Sequence, residues 1–184
     1  MYKPLLIGIG IIALLVAGFY AFNSFIYNEK QGDVGPRLDD EVDYKNISYV
    51  IDGEVVTLTD GVHEVEEAPG SAAMMTTEYF GNEATGDLNG DGVDDIAFLL
   101  TQQGGGSGVF FYVVAALKTD GGYEGTNSLF IGNRIAVQNT EIRDGKIIVN
   151  FAERSFDEPM AAAPTIQVSK YFSLEDGMLL EVGD

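Results

Sequence analysis

The chain has 184 residues, with ten Lys and Arg against 29 Asp and Glu and a formal net charge of −19. This length accommodates one domain of usual size plus a short appendage. The charge argues against a nucleic-acid-binding protein, because neutralising phosphates needs clustered cations and the sequence contains no basic patch. The absence of cysteine excludes disulfides and thiolate metal sites.

An apolar run over residues 5–26 is the first element of the chain, and only Asn23 and Ser24 interrupt it. As a helix with a rise of about 1.5 Å per residue, this run is long enough to cross about 30 Å of hydrocarbon. We therefore predict an N-terminal transmembrane anchor in residues 1–28.

A cleavable signal peptide is the alternative interpretation of the apolar run. Its apolar region would be shorter, and the best pair of small residues, Val16 and Gly18, lies inside the run rather than after it. Phe19 stands where a lipoprotein would carry its lipidated cysteine, which excludes lipidation. The pattern favours an uncleaved signal anchor.

The charges that flank the apolar run predict its orientation. Lys3 precedes the run, whereas carboxylates dominate the residues that follow it. By the positive-inside rule, the N-terminus is expected inside and the bulk of the protein outside the membrane. Residues 29–45 are charged, contain Gly and Pro, and lack apolar periodicity, which predicts a flexible acidic stalk.

Residues 46–184 have the pattern of a single, mainly β domain with an antiparallel, sandwich-like sheet arrangement. Short β-branched and aromatic runs alternate with Asp-Gly pairs, which favour tight hairpin turns. The six pairs are Asp52-Gly53, Asp60-Gly61, Asp91-Gly92, Asp120-Gly121, Asp144-Gly145 and Asp176-Gly177. Helix content is expected to be small.

Nine strands are predicted in this region. They are Ile47–Ile51, Glu54–Leu58, Ile96–Thr101, Val109–Leu117, Ser128–Ile131, Ile135–Arg143, Lys146–Glu153, Ile166–Leu174 and Met178–Val182. Val109–Leu117 is apolar at successive positions, which is typical of a central strand buried on both faces. It is too short for a second membrane-spanning helix.

The sharpest chemical motif is the Asp-rich segment from Asp87 to Asp95. Side chains at its positions one, three, five and nine, with the carbonyl of position seven, converge as oxygen ligands in calcium loops. The predicted ligands are Asp87, Asn89, Asp91, the carbonyl of Val93, and Asp95. Calcium is favoured over magnesium by the number of protein oxygens. An acidic hairpin turn that holds no metal is the alternative.

The Asp-rich segment is not a typical EF-hand loop. Position twelve is Phe98 instead of the bidentate glutamate that an EF-hand requires. With the apolar strand Ile96–Leu100 directly after it, the segment resembles the calcium loop of FG-GAP and integrin-type propeller blades. A propeller needs several copies at regular spacing, and one copy is found, so the multi-blade fold is not implied.

A longer resemblance involves several segments of the last hundred residues. They are Tyr79–Gly86, the Asp-rich segment, Gly132-Asn133-Arg134-Ile135, Glu158-Pro159-Met160 and Ser169-Lys170-Tyr171. In these segments the chain resembles an uncharacterised family of exported or membrane-anchored bacterial domains. The resemblance implies a bacterial envelope protein at the cytoplasmic membrane with its domain periplasmic or extracellular. It implies no activity.

No catalytic motif is evident in the sequence. His63 is the single histidine and lies among glutamates, which favours a surface imidazole over a catalytic base or zinc ligand. Ser107 lies in a Gly-rich segment, but Val109 occupies the position of the second glycine in a nucleophile elbow.

Two classes of function are consistent with these patterns. The first is a non-enzymatic envelope module that binds calcium for local stability and contacts an envelope protein or a polymer. The second is an enzyme or small-ligand-binding envelope protein with a dispersed site, for which Arg134, Arg154 and Tyr112 are the candidates. A concave pocket in which these three side chains converge would favour the second class.

Overall fold

The structure, a computed structural model, describes residues 43–159 and 161–183. The predicted membrane anchor and residues 29–42 of the predicted stalk lie outside this range. Within it, no helix has the length and apolarity needed to cross a membrane. The described residues form one 3-10 turn, Tyr44–Asn46, and twelve strands.

The strands are numbered in chain order. They are β1 Ser48–Ile51, β2 Glu54–Thr57, β3 Val62–Glu66, β4 Met74–Gly86, β5 Asp95–Gln103, β6 Phe110–Thr119, β7 Gly122–Gly125, β8 Leu129–Asn133, β9 Ala136–Arg143, β10 Lys146–Glu153, β11 Ile166–Glu175 and β12 Met178–Val182.

All pairings between these strands are antiparallel, as the sequence predicts. The largest sheet has the order β3-β4-β5-β6-β7, and β8 also pairs with β6. A second sheet is the four-stranded meander β12-β11-β10-β9, and β1 and β2 form a separate hairpin. The fold class is therefore mainly β and antiparallel.

Strands β5 and β6 form the centre of the molecule because both of their faces are buried. Ala97 and Leu99 face a cluster shared with the four-stranded sheet, in which Phe151 and Phe172 are also fully buried. The intervening residues of β5 and β6 face a second cluster, which the β1-β2 hairpin covers. The large sheet is thus the middle of three layers, and the prediction of a central strand at Val109–Leu117 is confirmed.

The Asp-Gly pairs account for most of the tight turns. Both residues have positive φ in four pairs: Asp52-Gly53, Asp60-Gly61, Asp144-Gly145 and Asp176-Gly177. Such φ values suit the twist of a two-residue hairpin loop. Asp91-Gly92 instead lies within the connection between β4 and β5, where the predicted calcium loop is found.

Three strands were not among those predicted from the sequence: β3, β4 and β7. The thirteen-residue β4 is the most informative, since two register shifts interrupt its pairing with β5 around Gly81. Gly81 and Asn82 have φ of 99° and 58°. The amide oxygen of Asn82 accepts a hydrogen bond from the Thr140 hydroxyl on β9, 2.8 Å away. The irregularity thus lets one strand contact both sheets.

Candidate metal centre and other polar clusters

The predicted calcium loop connects β4 to β5 and closes on its own backbone. One carboxylate oxygen of Asp87 accepts a hydrogen bond from Gly90 N–H at 2.7 Å, and the other accepts from Gly92 N–H at 2.9 Å. Both glycines have positive φ, 81° and 84°. Because this conformation is strained for most residues with a Cβ, the two glycines allow the chain to wrap around the Asp87 carboxylate.

Asn89 and Asp91 form a second set of contacts in the same loop. The Asn89 amide donates to the Asp91 carboxylate at 3.0 Å, and its oxygen accepts from Asp91 N–H at 2.9 Å. The other oxygen of Asp91 accepts from Val93 N–H at 2.7 Å. Both polar side chains are exposed at the surface, as is Val93.

Asp95 differs from the other loop aspartates because it is fully buried. Its two oxygens accept hydrogen bonds from Leu88 N–H at 3.0 Å and from Lys118 N–H at 2.9 Å. Buried carboxylates are costly unless such donors compensate for lost hydration. Asp95 therefore joins the start of the loop to β6.

One closed turn thus contains Asp87, Asn89 and Asp91. Asp95 lies at the end of the loop, where its carboxylate accepts hydrogen bonds from the backbone. Among residues 43–159 and 161–183, no group of three or more His, Cys, Asp or Glu side chains is arranged to hold a metal ion. The side-chain oxygens of Asp87, Asn89 and Asp91 accept hydrogen bonds mainly from the loop's own N–H groups. Each carboxylate oxygen retains a further lone pair that can face a cation.

A cleft of about 630 Å³ lies beside this loop. Asn89, Asp91 and Val93 line one side, and residues 117–120 with Glu124 line the other. Its wall holds three carboxylates and one ammonium, that of Lys118, and this excess of negative charge favours cations over anions.

A second polar cluster, which no sequence pattern indicates, surrounds Glu83. Its carboxylate accepts hydrogen bonds from the hydroxyls of both Tyr44 and Tyr79. The Lys45 ammonium lies 3.9 Å from the same carboxylate and 4.1 Å from the Tyr79 ring centroid. Tyr44 and Lys45, the last residues of the predicted stalk, thus contact the β domain.

The pKa values in the Glu83 cluster follow from these contacts. Partial burial acts to raise the pKa of Glu83, but the two tyrosine hydrogen bonds and the Lys45 charge outweigh it, so the pKa lies below its usual value. Burial and the bond to Glu83 raise the pKa of Tyr79 to about 12, and the same causes raise the pKa of Tyr44. The cluster is a stable arrangement of one carboxylate and neutral phenols.

The side chains proposed for a dispersed enzyme site have separate partners. Arg134 donates to the carbonyl oxygen of Ser107. Tyr112, which is 5% exposed, donates to Asp52 at 2.8 Å in the cluster under the β1-β2 hairpin. These contacts do not place the two side chains in a common pocket.

Arg154, the third candidate, lines a cavity of about 310 Å³ beside the 156–164 loop. Its guanidinium donates to the carbonyl oxygens of Asn133 at 3.2 Å and Ala162 at 3.3 Å. The lining of this cavity includes neither Arg134 nor Tyr112. Arg154 therefore stabilises the loop in the described structure and does not meet the other two candidates.

His63 lies half-buried on β3, with Nδ1 3.1 Å from the carbonyl oxygen of Thr57. It lines a further cavity, of about 350 Å³, between the β1-β2 hairpin and β3-β4. No other histidine exists in the chain to share a metal with it.

The fold and these clusters define a three-layered antiparallel β domain with an Asp-rich loop. No family model, curated protein or solved structure matches the chain. The resemblance to membrane-anchored bacterial domains and to FG-GAP loops therefore stays a prediction.

Proposed function

We propose that this chain is a membrane-anchored bacterial envelope module that displays its β domain outside the cytoplasmic membrane and binds one calcium ion in the 87–95 loop. The domain acts by contacting an envelope protein or polymer, and the calcium ion is structural. The observation that supports the calcium assignment is the closed turn in which oxygens of Asp87, Asn89 and Asp91 accept hydrogen bonds from N–H groups of the same loop.

The chemistry of the loop supports calcium over other ions. Its candidate ligands are all oxygens, which hard cations prefer, and the chain has neither thiols nor a second imidazole. Further protein or water oxygens complete a shell of six to eight ligands. Binding requires the side chains of Asp87 and Asp91 to turn their remaining lone pairs toward one point.

A structural role for the ion follows from the connection through Asp95. Its buried carboxylate links the loop to β6, and β6 lies at the centre of the large sheet. An ion that holds the loop closed therefore also stabilises the start of β5. A ligand bound only by the folded state adds about 2.7 kcal/mol of stability at one hundred times its Kd.

Calorimetric titration of the full-length chain in mild detergent tests this assignment. We expect about one equivalent of calcium to bind, and the melting temperature measured by circular dichroism to be higher in calcium than in chelator. Asp91→Asn should abolish both effects. Asp176→Asn makes the same charge change in the β11-β12 turn, at φ 49°, which asparagine tolerates, and should change neither.

Two results would contradict the calcium assignment. Absence of both heat and a melting shift would leave an acidic β module without a metal. Undiminished binding by Asp91→Asn would mean that calcium associates with carboxylates elsewhere on the surface.

The membrane topology is tested separately by cysteine labelling, since the chain has no cysteine of its own. Asp157→Cys lies in an exposed loop of the β domain. Tyr2→Cys precedes the apolar run of residues 5–26 and keeps Lys3, whose charge is expected to set the orientation. In spheroplasts, a maleimide that does not cross membranes should label Asp157→Cys at once and Tyr2→Cys only after lysis. The reverse pattern, or labelling of neither before lysis, would overturn the proposed display outside the membrane.

A further inference from the structure

The cavity lined by His63 lies between the β1-β2 hairpin and strands β3 and β4 of the large sheet. Its walls come from Ile51–Val56 on one side and from β3 and β4 on the other. Val55 and Val65 line it while remaining 69% and 49% exposed. Adjacent exposed apolar side chains in a concave site are typical of contact surfaces.

The backbone of β3 adds a second feature at the same place, because β3 is an edge strand. Tyr79 N–H donates to the carbonyl of Gly61, and Glu67 N–H donates to that of Ala73. Hydrogen-bonded pairs alternate along an antiparallel ladder, so the odd-numbered residues of β3 bond to β4. The N–H and C=O groups of Glu64 and Glu66 therefore point away from the sheet.

No hydrogen bond within the described residues engages these outward backbone groups. At the start of the strand, the outward N–H and C=O of Val62 both form hydrogen bonds with the backbone of Thr59. The available edge is therefore short and consists of Glu64 to Glu66. It is long enough to pair with a few residues of an extended chain.

The side chains of β3 give the two faces of this edge different chemistry. His63 and Val65 point into the cavity, whereas Glu64 and Glu66 lie on the opposite face. Asp52 and Glu54 add carboxylates to the cavity wall. An added strand therefore meets Val55 and Val65 beside these two carboxylates on its cavity face, and the carboxylates of Glu64 and Glu66 on its other face.

We propose that β3 and the adjoining cavity bind an extended segment of a partner protein in which apolar residues alternate with Lys or Arg. The segment adds to the sheet as a strand next to β3. Its apolar side chains enter the cavity beside Val65, and its cationic side chains lie opposite Glu64 and Glu66. Cross-strand pairs of opposite charge stabilise such an arrangement.

A second copy of this chain is a poor occupant of the same edge. Pairing of two β3 strands would bring glutamates of both copies together, and like charges directly opposite each other destabilise a sheet. The net charge of −19 on each copy adds to that repulsion. The glutamates thus discourage self-association while favouring a cationic strand.

The test is binding of a fluorescent peptide in which Lys and Val alternate, measured by anisotropy with the full-length chain in mild detergent. A peptide of the same composition with Lys and Val in separate blocks is the control for pattern, and one with alternating Glu and Val is the control for charge. We expect only the first peptide to bind appreciably, because it alone places Val and Lys on opposite faces of a strand.

Two substitutions of Glu64 distinguish the contribution of the backbone edge to peptide binding from that of the side-chain charge. Glu64→Pro removes the outward N–H and leaves the backbone bonds to β4 in place, but it also removes the acceptor of the Thr76 hydroxyl, 3.4 Å away on β4. Glu64→Gln keeps an oxygen acceptor and removes only the charge. We expect Glu64→Pro to weaken binding of the Lys-Val peptide at least about tenfold relative to Glu64→Gln, the equivalent of about 1.4 kcal/mol. Val65→Asp, which replaces an apolar side chain of the cavity wall by a charged one, provides a second variant if Glu64→Pro fails to fold.

Glu124→Lys, on the opposite edge strand β7, is the control for general electrostatic attraction and should change the Kd less than twofold. Equal binding of the alternating and block peptides would overturn the proposal, as would unchanged binding by Glu64→Pro and Val65→Asp. A dimer of the unliganded chain that Glu64→Pro dissociates would identify a second copy as the occupant. None of these outcomes depends on calcium, so the test of peptide binding at β3 is independent of the test of the proposed metal site.

Discussion

The buried carboxylate of Asp95 accepts a hydrogen bond from the backbone N–H of Lys118, 2.9 Å away on β6. Its other oxygen accepts from Leu88 N–H, so one side chain connects the Asp-rich loop with the central sheet. This relationship gives Asp95 a role in folding that is independent of any metal.

We expect Asp95→Ala to lower the free energy of unfolding by about 2–4 kcal/mol even in chelator, because two buried N–H donors lose their acceptor. Urea unfolding followed by circular dichroism measures the loss. Asp94→Ala removes a neighbouring but exposed carboxylate and should change stability by less than about 0.5 kcal/mol. Equal effects of the two substitutions would show that the buried contacts of Asp95 contribute little.

Phe98→Ala should be among the most destabilising substitutions in the second core cluster. The ring is fully buried, and its centroid lies 5.4–5.6 Å from those of Tyr44, Tyr49 and Tyr79. Its removal leaves a cavity that the surrounding rigid rings fill poorly. We therefore expect the free energy of unfolding to fall by about 3–5 kcal/mol. Phe156→Ala, at a fully exposed position, is the matched control and should cost less than about 0.5 kcal/mol in the same urea titration.

Gly125→Ala should disturb the contact between the β1-β2 hairpin and the large sheet. A Cβ at Gly125 would lie 2.2 Å from the backbone oxygen of Ser48 and 2.8 Å from the Tyr49 ring. We expect the free energy of unfolding to fall by about 1–3 kcal/mol, because the backbone must move to relieve this overlap. Hydrogen exchange should also speed up at Val50 N–H, which bonds to the carbonyl of Thr126.

Gly121→Ala is the control for the Gly125 substitution. Gly121 has no atom within 4 Å of the added Cβ and its φ lies outside the left-handed region. Stability should be unchanged or slightly higher. If Gly121→Ala lowered the free energy of unfolding as much as Gly125→Ala, then the lost flexibility of the chain, and not overlap with Ser48, would explain the effect of Gly125→Ala.

Tyr79 should contribute to a loss of stability at alkaline pH. Burial and its hydrogen bond to Glu83 raise the pKa of Tyr79 to about 12, from about 10 in an unfolded chain. The contribution of the neutral phenol is therefore complete below about pH 10 and is lost as the pH rises through about 12. Tyr79→Phe should reduce the decline of the unfolding free energy across this interval, as measured by urea unfolding at each pH. An equal decline in the variant would mean that ionisation of Tyr79 is not its cause.

Several elements were predictable because their signals are local. The bounds of β10 and β12 agree with the predicted strands, since a β-branched or aliphatic run in each is set off by an Asp-Gly turn. The central position of β6 followed from its unbroken apolar run. By contrast, β3, β4 and β7 contain Gly, Glu, Thr or His at positions where a typical strand would be apolar.

The polar sites, too, were predictable only where their residues are close together in the sequence. The turn around Asp87 is encoded within nine residues, because its two glycines and its Asx side chains act on neighbouring backbone groups. The cluster of Glu83 with Tyr44 joins residues 39 positions apart, so no local spacing indicates it. Likewise, whether Arg134, Arg154 and Tyr112 meet depends on which strands become neighbours, and Arg154 follows β10 in a different sheet from that of Tyr112.

The sequence by itself thus determined an acidic, antiparallel β domain, most of its tight turns and the Asp-rich loop, because hydrophobic alternation and turn chemistry act over a few residues. The tertiary structure alone decided that Asp95 is buried against β6, that β4 bends to reach both sheets, and that β3 is left as an edge beside an open cavity. These features depend on which strands become neighbours, and that choice is made by the burial of surfaces distant in the chain.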